Sequence, residues 1–439
     1  LVDESLHRIG AAMVDVKHID GRLTPDPSRV VIRPFHIAPE PRDMHPVQAG
    51  RAQRIVDAVL AMSEAECQRE FAKVDADFDD RHWQTEDVYA RRCQQVLDDL
   101  GIKRGDLQPE QRELIGAYFC HEYSYAAAAI MNPSIVPHPN QAGLGEGDQR
   151  FVMSLRTVGE GHISSIAFRE GILAQDGTLN LWPSPPFSMA AEADAPVLEG
   201  EVLARRSPTT AISGAVIFPF TRAQRNGLED LRLVRFTEDD GAKRYFGTYT
   251  AYSGSGIASE MLETRDFDTF KFSPMRGEAA KNKGMGLFPK RVGGAYAMIG
   301  RQDGESLFFM QSDDVLHWRG GEKLLAPRFP WELVQIGNCG SPIELDEGWL
   351  ILTHGVGAMR KYAIGAALLD KANPRKVLGR LAEPLISPSD ENREGYVPNV
   401  CYTCGALKHG DQLFLPYAVA DSSVLFALVG LKSLVAAMK

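Results

Sequence analysis

The chain has 439 residues, 44% hydrophobic and 24% charged, and its 58 acidic and 48 basic side chains leave a formal net charge of −10. This composition is ordinary for a globular protein and excludes wholesale disorder. The acidic balance argues against nucleic acid or an anionic membrane as main partner, and no apolar run reaches the roughly 18 residues of a membrane-spanning helix.

In chain order, helical signals come first. After Pro46, a good first-turn residue, Val47, Ile55, Val56, Val59 and Leu60 form an apolar stripe. Ser63 and Glu66 have capping-box spacing, opening a helix with Cys67, Phe71, Val74 and Phe78 on one face. Thr85 is expected to cap a third helix, with Tyr89, Cys93, Val96 and Leu100 inward and Gly101 as its stop. A fourth is expected to start at Pro109 and run through Leu114, Tyr118 and the alanines at 126–129 to Pro133. Residues 1–131 therefore read as a mostly helical extension, with helices over about 46–130. It carries no constellation of catalytic residues, and packing or homo-oligomerisation is its expected role.

From residue 132 the pattern changes. Short β-rich runs at 151–156, 163–168, 216–220, 231–236, 245–252, 295–299, 306–310, 349–353 and 412–417 are bounded by Gly, Pro, Asn and Asp. Many short strands at regular spacing point to a sandwich, barrel or propeller. Thr264-x-Asp266-x-x-x-Phe270 and Ser312-x-Asp314-x-x-x-Trp318 repeat one spacing, their aspartates 48 residues apart, from 266 to 314. That period suits propeller blades. In each copy the hydroxyl and the carboxylate are expected to bond local backbone N–H groups while the aromatic packs inward.

Six cysteines are sparse, and Cys401 and Cys404 lack the second pair that a zinc site needs. Without metal spacing elsewhere, the expectation is no metal and no cofactor. With no signal-peptide pattern visible, a reducing cytoplasm is expected.

Several pieces carry a resemblance: Asn132-Pro133-Ser134, the run ending in Arg156, Gly159-Glu160-Gly161-His162, Glu229-Asp230-Leu231-Arg232, Asn282-Lys283 with Pro289, Gly348-Trp349-Leu350 before His354, and 365–370. In order and spacing they resemble glycoside hydrolase family 130, which acts on β-mannosides. The resemblance implies an all-β five-bladed β-propeller catalytic domain over 132–439, preceded by the N-terminal α-helical extension. It implies that Asp230 is the general acid of an inverting phosphorolysis. Phosphate, a co-substrate and already an anion, needs no catalytic base. It would be held by Arg156, Lys283, Arg301 and His354, with Lys281 competing for the place of Lys283.

The same resemblance places His162, Arg232, Asn132, Asp421 and Tyr362 near the sugar, β-1,2- or β-1,4-linked. Leu231 stands where the family has Pro, and Gly300 where it has His before Arg301. The second departure keeps one alternative open, an inverting β-mannosidase that uses water, with Glu160 as a candidate base. Since fold does not fix function, the other alternative is a non-catalytic glycan-binding propeller.

Overall fold

The computed structural model describes residues 7–9, 12–38, 50–103, 107–194 and 199–438. These form two compact units, one of Leu1–Pro27, Ala126–Ser184 and Ala191–Lys439, the other of Ser28–Tyr125 and Pro185–Ala190. Among the described residues no helix is long and apolar enough to cross a membrane.

The second unit holds four helices, α1 (Arg51–Leu60), α2 (Glu64–Phe78), α3 (Thr85–Asp99) and α4 (Pro109–Tyr118). Their inward faces bury Val56, Val59, Cys67, Cys93, Val96, Leu97, Leu114 and Ile115 in one core. The Ser63 N–H donates to Glu66 Oε2 at 2.8 Å, closing the capping box. Gly101, at φ 68°, ends α3 as its left-handed stop. The cap of α3 is one residue earlier than expected: Gln84, at φ 57°, is the N-cap and Thr85 is already helical. On α4, a Cβ at Gly116 would sit 1.9 Å from the Tyr89 carbonyl oxygen, so only glycine allows α3 and α4 to approach this closely. Pro46 and Val47 lie outside the described residues.

The fourth helix also departs from expectation. It stops at Tyr118, and the chain then forms strands Cys120–Ser124, paired with Val30–Pro34, and Ala129–Pro137. Buried Ala126 and Ala129 are among the residues that follow it. Alanine's helix propensity is a weak prior that tertiary pairing overrides.

All nine expected runs in the other unit contain strand, most of it longer than expected; in the run 216–220 the strand is only Ala215–Ile217. The repeat is a turn device. Thr264 Oγ1 accepts from the Phe267 N–H at 3.0 Å and Asp266 Oδ1 from the Asp268 N–H at 2.8 Å. Ser312 Oγ accepts from the Asp314 N–H at 3.1 Å, and Asp314 Oδ1 from the Leu316 N–H at 2.9 Å. Phe270 and Trp318 are fully buried in separate cores.

The five-bladed β-propeller is not what the strands form. The largest sheet has twelve strands, followed by two of five, one of four and two of two; among the described residues none closes on itself. The runs around Gln149–Val158 and Gly227–Thr237 belong to this one sheet, where Gly227 and Ser164 pair in parallel. Spacing along the chain reports where turns fall, not which edge strands bond, so the 48-residue period did not fix the architecture. The N-terminal strand Val16–Leu23 pairs with Ser423–Gly430, so residues far apart in sequence complete the last five-stranded sheet.

Candidate active site

Two irregularities in the large sheet build the site. In Ala129–Pro137 the register shifts between Met131 and Ser134, and in Gly227–Thr237 between Glu229 and Arg232. Asn132 at φ 51° and Asp230 at φ 57° occupy these bulges in the left-handed region. That conformation costs an ordinary L-residue about 1–2 kcal/mol, and Asn and Asp tolerate it best. Ser134 Oγ accepts the Leu233 N–H at 2.9 Å, tying one bulged strand to the other. The result is a hydrogen bond from Asn132 Nδ2 to Asp230 Oδ1 at 2.7 Å. Asp230 is thus mid-strand at a bulge.

These residues line a cavity of ≈ 170 Å³ together with Arg156, Lys283, Arg301, His354, Arg360, Tyr362, Tyr402 and Asp421. Arg156 spans two carboxylates: Nη1 donates to Asp230 Oδ1 at 3.2 Å and Nη2 to Glu229 Oε1 at 2.7 Å, while Nε donates to Ser164 Oγ at 2.9 Å. Lys283 Nζ donates to Glu229 Oε2 at 2.6 Å. It sits between Asn282 (φ 65°) and Gly284 (φ 87°), a bend that turns it inward; Lys281 is not part of the lining. Burial alone would raise the Asp230 pKa. The guanidiniums of Arg156 and Arg232 and the Lys283 ammonium overcome this and hold the carboxyl well below the usual carboxylate range. The opposite holds for Asp421, which burial and then the Asp230 charge push up to about 6. It lies beside Ala420 in a tight turn, both at positive φ.

His354 enters the site as a neutral imidazole, because burial, followed by the Arg301 and Arg232 charges, drives its pKa well below 6.5. Its ring stacks on Tyr362 at 5.7 Å and tilts against Tyr402 at 4.8 Å, and Nδ1 is buried without a hydrogen-bond partner. A Cβ on Gly337, the facing residue, would lie 2.1 Å from His354 Cε1, so glycine makes room for the ring. Gly300 also has a packing reason. The Met310 methyl group lies 2.6 Å from where its Cβ would be, so a side chain there would have to displace the end of Met310.

The structure brings Asp230, Arg156, Lys283, Arg301, His354, Asn132, Tyr362 and Asp421 together around one cavity. Two of the expected residues are not in its lining. Arg232 lies fully buried, donating to the Asp230 carbonyl and to Tyr402 Oη, each at 2.8 Å. His162 is exposed and pairs through Nδ1 with Tyr396 Oη at 2.9 Å. Glu160 is exposed as well. Sequence reasoning missed Glu229, Arg360 and Tyr402 as site residues. Glu229 stands directly beside Asp230 in the quoted motif, and that adjacency was the available signal.

Residues 209–439, more than half of the chain, match the glycoside hydrolase family 130 model, described as beta-1,4-mannooligosaccharide phosphorylase. The chain is 31% identical over 217 residues to a beta-1,2-mannobiose phosphorylase of Listeria innocua, a match covering 47% of this chain and 59% of that protein, so under two thirds of the relative is spanned. It is 33% identical over 226 residues to a 1,2-beta-oligomannan phosphorylase of a Thermoanaerobacter species, covering 49% of this chain and 72% of that one. The solved structure of the Listeria beta-1,2-mannobiose phosphorylase with beta-1,2-mannobiose aligns with a TM-score of 0.51 at 20% identity, over 71% of this chain and 92% of that one, which shows a shared fold. By the family match and the Thermoanaerobacter relative, this chain belongs to glycoside hydrolase family 130.

Proposed function

We propose that this protein cleaves β-mannosides with inorganic phosphate, inverting the anomeric centre to give α-mannose 1-phosphate and a shortened acceptor. The observation that carries this reading is the charge of the cavity. Four cationic side chains, Arg156, Lys283, Arg301 and Arg360, line it with the carboxyls of Asp230 and Asp421, and Glu229 behind the lining pairs Arg156 and Lys283, which leaves Arg301 and Arg360 as the positive surplus. Surplus positive charge beside a buried proton donor suits an anionic nucleophile better than water. The names of the five curated relatives, each a phosphorylase of a mannoside, agree with it.

In this mechanism a phosphate oxygen attacks the anomeric carbon from the face opposite the leaving oxygen. The C1–O bond to the acceptor breaks as the C1–O–P bond forms. Asp230 supplies the proton that the leaving oxygen needs, relayed through the 3-hydroxyl of the mannosyl unit as the family resemblance implies. In the free protein Asp230 is ionised, because the cations hold its pKa down. Phosphate compensates those cations, relaxes their hold and lets Asp230 take up the proton that it then donates. Six free cysteines suit a reducing cytoplasm as the place of action.

The test is mannoside breakdown with and without phosphate, on β-1,2- and β-1,4-mannobiose. The expected outcome is cleavage that requires phosphate and yields α-mannose 1-phosphate, seen by NMR. Release of free mannose at the same rate without phosphate would make the protein a mannosidase. No turnover of any mannoside under either condition would make it a glycan-binding domain.

A further inference from the structure

The cavity's cations fall into two groups. Arg156 spends Nη1 on Asp230, Nη2 on Glu229 and Nε on Ser164. Lys283 is bound to Glu229. By contrast, among the described residues neither Arg301 nor Arg360 forms an ion pair or a side-chain hydrogen bond, and Arg301 Nε is buried without a partner. A buried donor left unpaired costs about 1–3 kcal/mol, so Arg301 is poised for a ligand, while Arg360 is exposed and open to one.

Arg360 is presented by a costly turn. Met359 and Arg360 follow one another at φ 57° and 56°, where ordinary side chains are disfavoured by about 1–2 kcal/mol each. Met359 is 92% exposed, so no burial of its side chain offsets this. Gly357 starts the turn, its N–H donating to the Lys361 carbonyl at 3.0 Å. The turn sets the Arg360 guanidinium over the Tyr362 ring, 5.4 Å from its centroid, where both line the cavity. A guanidinium held against an aromatic ring is restricted in place, and its planar fork can grip a phosphate with two parallel N–H donors. Strained backbone that persists at a cavity mouth marks a functional constraint.

We propose that Arg360 is a phosphate ligand of this site, acting with Arg301, while Arg156 and Lys283 chiefly set the state of the acidic pair beneath. The inference rests on the phosphorolytic reading and assigns its anion to particular side chains.

Steady-state kinetics on whichever mannobiose the wild-type protein phosphorolyses, with phosphate and mannoside varied separately, test it. Arg360→Ala is expected to raise the KM for phosphate by about tenfold or more, the loss of a charge-assisted contact, and to leave the mannoside KM within about twofold. Arg360→Lys should recover part of the loss, because lysine restores the charge without the fork. An unchanged phosphate KM in Arg360→Ala, or a rise confined to the mannoside KM, would overturn the assignment while the phosphorolytic reading stood. A wild-type protein indifferent to phosphate would overturn both.

Discussion

Asp230→Asn is expected to lower kcat for phosphorolysis by about 10²–10⁴-fold, the usual range for loss of a general acid. The amide keeps the size of the carboxyl and can still accept from Asn132, so the bulge and the cavity should persist. The mannoside KM should therefore change little. The deficit should also depend on the leaving group. A mannoside whose leaving oxygen is a weak base, such as a nitrophenolate, needs little protonation and should lose much less rate. Activity within tenfold of wild type on mannobiose, or equal losses on both substrates, would exclude Asp230 as the proton donor.

The second large effect is on stability. Glu229 is buried and accepts from Arg156 at 2.7 Å and from Lys283 at 2.6 Å. Glu229→Ala leaves both cations facing each other without their shared counter-charge. Removing one partner of a buried ion pair costs about 3–5 kcal/mol. Arg156 is largely buried, so water can compensate it only in part. The Lys283 side chain is 36% exposed and will be partly rehydrated, which favours the lower end of the range. Denaturant unfolding followed by circular dichroism should show the midpoint falling with little change in slope. The same variant should lose activity, because removing a negative charge near Arg156 and Lys283 leaves them holding Asp230 ionised more firmly. A midpoint close to wild type would mean that the pair is fully hydrated and that Glu229 does not organise the cations.

Much of the local structure was legible in the sequence because its causes are local. The Ser63–Glu66 capping box, the Gly101 stop and the Thr264 and Ser312 turns need only residue types at fixed offsets. The alanines at 126–129 misled because a propensity carries no information about the partner strand, and Ala129–Pro137 pairs with Gln149–Val158 instead. The expected propeller failed for a related reason, since the parallel Gly227–Ser164 pairing is a long-range event. Asn132, Asp230 and Asp421 share a signal that the sequence did contain: Asn and Asp are the residues most at home at positive φ. Arg360 and Met359 carry no such mark, because neither residue type advertises a left-handed turn. Tyr402 gave no cue beyond alternation in a strand; its contact with Arg232 spans 170 residues of sequence.

The central claim is that phosphate readies a lone buried carboxyl to give up a proton. Titration calorimetry of phosphate binding, repeated in buffers of different ionisation enthalpy, reads the protons exchanged. In the free protein Asp230 is ionised, with its pKa depressed by Arg156, Arg232 and Lys283. An arriving anion raises that pKa, and the mechanism requires the rise to reach the working pH, where binding takes up protons from solution. The wild-type protein should show an uptake that Asp230→Asn loses, with the variant reporting the titration of phosphate itself. Equal proton exchange in the two proteins would contradict the account.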